Sequence, residues 1–136
     1  MKRLLTLIVL LQVSINCFSA SKTAIASGNW SNPSVWSPIG VPINNDEVTI
    51  SAGKTITIDS ITGSCNSINI QSGATLKVNA NSRLTIASII GFNINGTLEV
   101  IGDVSILNPN TSLKLNSGGK IIWSPLNNTE ANAQLF

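Results

Sequence analysis

Few side chains in this sequence are equipped for chemistry. Beyond the first twenty residues they are six carboxylates (Asp46, Glu47, Asp59, Glu99, Asp103 and Glu130), the thiol of Cys65, and the indoles of Trp30, Trp36 and Trp123. Histidine and tyrosine are absent. Their absence removes His general bases, His-assisted nucleophiles and His-ligated metals. Serine and threonine are plentiful but have no partner base to activate them. Glycoside hydrolysis would need two carboxylates at a set separation. Asp46 and Glu47 are adjacent, so on an extended chain their side chains diverge, and Asp46 reads as a local acceptor in the turn before a strand. Glu99 and Asp103 fall on consecutive strands across the turn at Gly102, where an exposed-surface role outweighs an acid pair. Asp46 and Asp59 are the carboxylates that could contribute to a Ca²⁺ site, but no loop holds the oxygen density such a site wants. We therefore assign no catalytic residue, no metal and no cofactor.

Trp30 and Trp36 are the candidate ligand-binding residues, because indole faces stack on sugar rings and the indole N–H donates a hydrogen bond. The competing reading makes them the core of the segment that carries them. Cys65 is the only thiol beyond the first twenty residues. It has no internal partner and reads as a small apolar filler, with a bridge to another chain as the alternative. Asn69, Asn93, Asn95 and Asn116 recur at similar places in a repeat. They suit either turn and solvent chemistry or a ladder of amides forming a flat polar face for a glycan or a lattice.

The elements that must position these residues begin after a leader. Lys2-Arg3 is a short positive segment, Leu4 to Val13 is apolar apart from Thr6 and Gln12, and Cys17-Phe18-Ser19 offers small residues at −3 and −1 for cleavage after Ser19. Cleavage after Ala20 would put Phe18 at −3. We read residues 1–20 as a signal peptide, with an apolar run too short for a membrane span, which needs about 20 residues. About 116 of the 136 residues remain, enough for one domain with its own core. The chain has 8 Lys+Arg and 6 Asp+Glu; without Lys2 and Arg3 the two balance. No basic face exists to displace counterions, so nucleic acid is not an expected partner. The expected location is outside the cytoplasm: secreted, on the cell surface, or in a periplasm.

Residues 21–45, with Pro33, Pro38 and Pro42, read as an irregular N-terminal cap segment. From Asp46 the texture changes to short alternating runs broken by Gly, Asn and Ser, the pattern of strands and tight turns. The runs repeat. Val48-Thr-Ile50, Ile68-Asn-Ile70, Phe92-Asn-Ile94 and Leu113-Lys-Leu115 are versions of one strand, each followed by a turn holding Gly53, Gly73, Gly96 or Gly118. A second strand follows: Thr55–Ile58, Thr75–Val78, Thr97–Val100 and Lys120–Trp123. A third occurs at least twice, as Arg83–Ile86 and Asp103–Ile106. A period near 20 residues with two or three strands per period predicts an all-β fold: a short right-handed parallel β-helix of about three to four coils over residues 46–123. A small antiparallel sandwich is the rival, but of the turns only Asn95-Gly96 suits a tight hairpin.

Alternation then predicts four inward rows: Val48/Ile68/Phe92/Leu113, Ile50/Ile70/Ile94/Leu115, Ile56/Leu76/Leu98/Ile121 and Ile58/Val78/Val100/Trp123. Lys77 and Glu99 face outward on neighbouring coils as a register-setting pair. Residues 124–136 read as a C-terminal tail or weak cap, since the ends of a coil stack expose edges and apolar faces.

The run Ser27-Gly28-Asn29-Trp30-Ser31-Asn32-Pro33-Ser34-Val35-Trp36, followed by Val41-Pro42, Asp46, Val48-Thr49-Ile50, Gly53 and Ile56-Thr57-Ile58-Asp59, resembles the opening of the eight-glycine extracellular domain. It also looks like the leading module of exported β-helical surface proteins of Bacteroidetes-type bacteria. The likeness is strong over about residues 24–60 and loose beyond. It implies a right-handed β-helix outside the cell and a link to polysaccharides. The groove residues of β-helical polysaccharide lyases have no counterpart here. Three functional readings follow. The first is an exported, non-catalytic surface or matrix protein of structural or carbohydrate-binding character, with a polysaccharide or cell-surface glycan as partner. The second is an accessory or truncated piece of a β-helical polysaccharide-active protein. The third is a structural protein that self-associates end to end through an open coil.

Overall fold

The computed structural model describes residues 19–59, 62–87 and 91–124. The signal reading of residues 1–18 and the cap reading of the tail from 125 onward lie outside the described residues. The chain winds as a parallel β-solenoid of about three turns. Its complete coils are β4 (Glu47–Ile50), β5 (Thr55–Ile58) and β6 (Thr62–Cys65); β7 (Ser67–Ile70), β8 (Thr75–Val78) and β9 (Arg83–Ile86); and β10 (Phe92–Ile94), β11 (Thr97–Val100) and β12 (Asp103–Ile106). A partial coil precedes them, made of β1 (Ser21–Ala24), β2 (Gly28–Asn29) and β3 (Trp36–Ser37), and another follows as β13 (Leu113–Leu115) and β14 (Lys120–Trp123).

Three sheets run up the stack, in the orders β13-β10-β7-β4-β1-β3, β14-β11-β8-β5-β2 and β12-β9-β6. Every pairing between coils is parallel. The exception is β3, which turns back antiparallel on β1. This excludes the sandwich. The register is the one the alternation predicts: Val48, Ile68, Phe92 and Leu113 stack in one row, and the other three rows stack likewise.

Two expectations need correction. First, residues 21–45 are not merely an irregular cap, because β1 extends the first sheet below β4 and β2 extends the second below β5. The folded body also reaches back to Ala20, whose carbonyl accepts the N–H of Glu47 at 2.9 Å. Second, the inward rows are buried in the three complete coils, but their last members, Leu113, Leu115, Ile121 and Trp123, are exposed. They are the final rungs among the described residues. The third strand, expected at least twice, occurs a third time as β6. Thr62-Gly-Ser-Cys65 lacks the aliphatic signature of a strand because the interior below it is already full. A Cβ on Gly63 would meet Ile58 Cδ1 at 2.8 Å and Trp30 Cδ2 at 3.4 Å.

The corners explain why the repeat length drifts. Between first- and second-sheet strands the usual corner has four residues with a left-handed glycine third, as at Gly53, Gly73 and Gly118. The β10–β11 corner has only Asn95-Gly96. Both of its N–H groups bond the Ile70 carbonyl, at 2.8 and 3.1 Å. A Cβ on Gly96 would collide with the carbonyl oxygens of Gln71 and Ala74. Gly96 is thus required by close approach, not by a turn dihedral. The same device recurs at Ile101-Gly102, whose N–H groups both bond the Val78 carbonyl.

Candidate functional site

The N-terminal end holds both candidate ligand-binding tryptophans, together with Asp46 and Asp59. β2 lies on β5, and beyond it the Trp30 N–H bonds the Thr57 carbonyl at 2.8 Å. Asn32 then caps a short 3₁₀ turn, Pro33–Val35, by accepting the Ser34 N–H at 3.0 Å. The turn delivers Val35 onto Gly28, where a Cβ would sit 2.9 Å from Val35 Cγ1. It also delivers Trp36 against Trp30. The rings meet edge to face with centroids 5.0 Å apart, and Trp36 Nε1 donates to the Trp30 carbonyl at 3.0 Å. Both indoles are 1% exposed. Neither face is open to a sugar, so the ligand-binding reading of Trp30 and Trp36 is corrected: the pair is the core of the cap. Trp30 Nε1 is itself buried without an acceptor, the cost of filling this space with an indole.

Polar residues tie this cap to the first complete coil. The Ser31 N–H and hydroxyl both donate to Asp59, at 3.2 and 2.7 Å. Burial pushes the Asp59 carboxyl up, but the hydrogen bonds from Ser31, with those from its own backbone and from Asn29, together outweigh it and hold the group below its ordinary value. The Thr55 N–H donates to Ser27 Oγ at 2.9 Å. Asp46 is buried at 3% exposure and accepts the N–H of Ile43 at 3.0 Å and of Ala20 at 3.3 Å. This is the turn-acceptor role expected for it. Lys22 occupies the inward row below Val48, and its ammonium donates to the carbonyls of Pro38 and Ile39, at 3.0 and 3.3 Å. Sequence reasoning missed Lys22; the available signal was a long polar side chain at an inward register position.

The remaining candidates also serve the framework. Glu99 reaches Lys77 across adjacent coils at 3.3 Å, as expected. Asp103 does not turn toward Glu99; it bonds Arg83 on the coil below at 2.7 Å. Cys65 is fully buried, and desolvation together with the nearby Asp46 charge pushes its thiol up to about 12. That removes the intermolecular bridge and leaves the filler role. Asn69 and Asn93 are neighbours in register, and Asn95, at the short corner, donates to Asn69 Oδ1 at 3.2 Å. Asn116 lies outside this pair of rungs, in the corner after β13. Among the described residues no three His, Cys, Asp or Glu side chains converge as metal ligands.

The C-terminal end differs in kind. Trp123, expected to pack inward, holds its place above Val100 but is 52% exposed. Leu113, Leu115 and Ile121 flank it, with Ile106 and Leu107 also exposed below. This apolar face lies at the last described strands of the first and second sheets. Among the described residues no helix is long and apolar enough to cross a membrane. A family model described as a domain of unknown function, DUF8693, matches residues 22–131. Neither a curated protein nor a solved structure matches the chain.

Proposed function

We propose that this chain, which belongs to the DUF8693 family of domains of unknown function, is an exported, non-catalytic structural module of a surface or matrix protein. One observation carries the reading. Four of the six carboxylates and the thiol act in the framework: Asp46 and Asp59 hold the cap, Glu99 and Asp103 bridge coils, and Cys65 is sealed inside. A carboxylate fixed in this way by neighbouring N–H, O–H or cationic groups is not poised as a general acid or base. The leader and the resemblance to an extracellular domain support the export part.

A second reading, assembly through the C-terminal coil, is favoured by the exposed row ends Leu113, Leu115, Ile121 and Trp123. A carbohydrate-binding role, no longer carried by the buried cap indoles, would now rest on Trp123. Two measurements on the processed chain separate these. Sedimentation across a concentration range reports assembly, which Leu115→Lys should abolish. Affinity electrophoresis through polysaccharide gels reports glycan binding, which Trp123→Ala should abolish. A concentration-independent monomer that passes every gel unretarded supports the purely structural module. Release of oligosaccharide from any polysaccharide in the panel would overturn the non-catalytic reading.

A further inference from the structure

We infer that removal of the leader completes the N-terminal cap, because the new α-ammonium of Ala20 forms a half-buried ion pair with Asp46. The inference rests on the export reading and adds a consequence to it. Asp46 is almost wholly buried, and its carboxylate is met by backbone N–H groups, from Ile43 to Oδ2 and from Ala20 to Oδ1. A buried carboxylate without a cation is costly. The surrounding titratable groups do not supply one. Glu47 is exposed on the next residue, Cys65 is a neutral thiol behind the carboxylate, and the Lys22 ammonium is held by the Pro38 and Ile39 carbonyls.

The nitrogen 3.3 Å from Asp46 Oδ1 belongs to the residue that follows Ser19. Ser19 is the −1 residue of the better cleavage site. In the uncut chain that nitrogen is a neutral amide. Hydrolysis of the Ser19–Ala20 bond adds one water, leaving a carboxylate on Ser19 and an ammonium on Ala20. The position needs no rearrangement, since the Ala20 carbonyl already bonds the Glu47 N–H and β1 begins at Ser21 on β4. A charge-assisted hydrogen bond replaces a neutral one at a half-buried site. The cap therefore reaches full strength only after processing, so the precursor carries a weaker N-terminal end while it is being exported.

The test compares chains running from Ala20 to Phe136 with a free amine, with that amine acetylated, and with Ser19 retained. Thermal unfolding at pH 7 should place the free-amine form about 5 °C or more above both others. In Asp46→Asn the three should coincide. Equal midpoints for the three wild-type forms would overturn the ion pair, and this comparison does not depend on the variant folding. As a second readout, the Ala20 amine tagged by [¹³C]-methylation should titrate above the usual α-amino range of about 7.7–8.0; an ordinary titration overturns the pairing. N-terminal sequencing of the exported protein separates the two layers. A first residue other than Ala20 overturns the inference whatever the midpoints show. Ala20 with equal midpoints leaves the export reading standing and removes the ion pair.

Discussion

At the N-terminal end of the stack, β3 turns antiparallel over β1, two tryptophans fill the bore, and Lys22, Asp46 and Asp59 fasten the loops that cross it. At the C-terminal end, the same four inward rows finish on Leu113, Leu115, Ile121 and Trp123, all exposed. The two ends differ in the rows as well as in what lies across them: Lys22, Ala24 and Gly28 take the inward places at the first end, where large aliphatic and aromatic side chains stand at the last. A coil stack buries its apolar interior only where a further layer lies on it. An identical residue type is core at one height and surface at another.

The sharpest way to break this comparison is at the indoles. Trp36→Ala removes a fully buried ring, its edge-to-face contact with Trp30 and its bond to the Trp30 carbonyl. It should destabilise the chain by about 3–5 kcal/mol in urea unfolding. Trp123→Ala, at the half-exposed end, should cost less than about 1 kcal/mol. Comparable losses would mean that the two ends are equally closed in solution. A test within a single row comes next. Ile94 and Leu115 are stacked partners in one row, the first fully buried and the second exposed. Ile94→Ala should cost about 2–4 kcal/mol and Leu115→Ala well under half of that, measured the same way.

Which parts of this were legible in the sequence follows from the physics of each part. The rows were readable because a period of two inside a period near twenty leaves little freedom of register. All four rows stack as the alternation predicts. The third sheet was only partly readable, because Gly63 and Cys65 occupy places where Leu84 and Ile86 stand one coil higher. At Gly63 that substitution reflects Ile58, whose Cδ1 would lie 2.8 Å from an added Cβ, with Trp30 in ordinary contact beneath, a packing constraint that no local pattern announces. The cap was misjudged for a related reason. Composition showed that Trp30 and Trp36 were worth explaining, but only the 3₁₀ turn at Pro33–Val35 decides whether their faces point in or out. Lys22 went unnoticed because its ammonium is satisfied by two carbonyls sixteen and seventeen residues away.

Lys22 gives a smaller test of the same contrast. Lys22→Met keeps the buried stem but leaves the Pro38 and Ile39 carbonyls without their donor. The loss should be about 1–3 kcal/mol, the cost of unsatisfied polar groups. Lys120→Met, exposed on the last coil, should change stability by less than about 0.5 kcal/mol. Equal effects from the two would show that the ammonium at position 22 is not part of the closure.

The smallest expected effect is a pH dependence confined to the closed end. Desolvation raises the Asp59 carboxyl, but hydrogen bonds led by those from Ser31 together hold it below its ordinary value of 3.8. A carboxyl whose folded value is depressed contributes stability that is fully present above its unfolded value. That stability disappears as pH falls through the folded one. Urea midpoints should therefore decline on the acid side of pH 4, and Asp59→Asn should flatten the decline while lowering the plateau at pH 7 only slightly. The group is largely solvated, so screening keeps the plateau change under about 1 kcal/mol. An unchanged acid limb in Asp59→Asn would remove this carboxylate as the acid-sensitive contact at the join between the cap and the first complete coil.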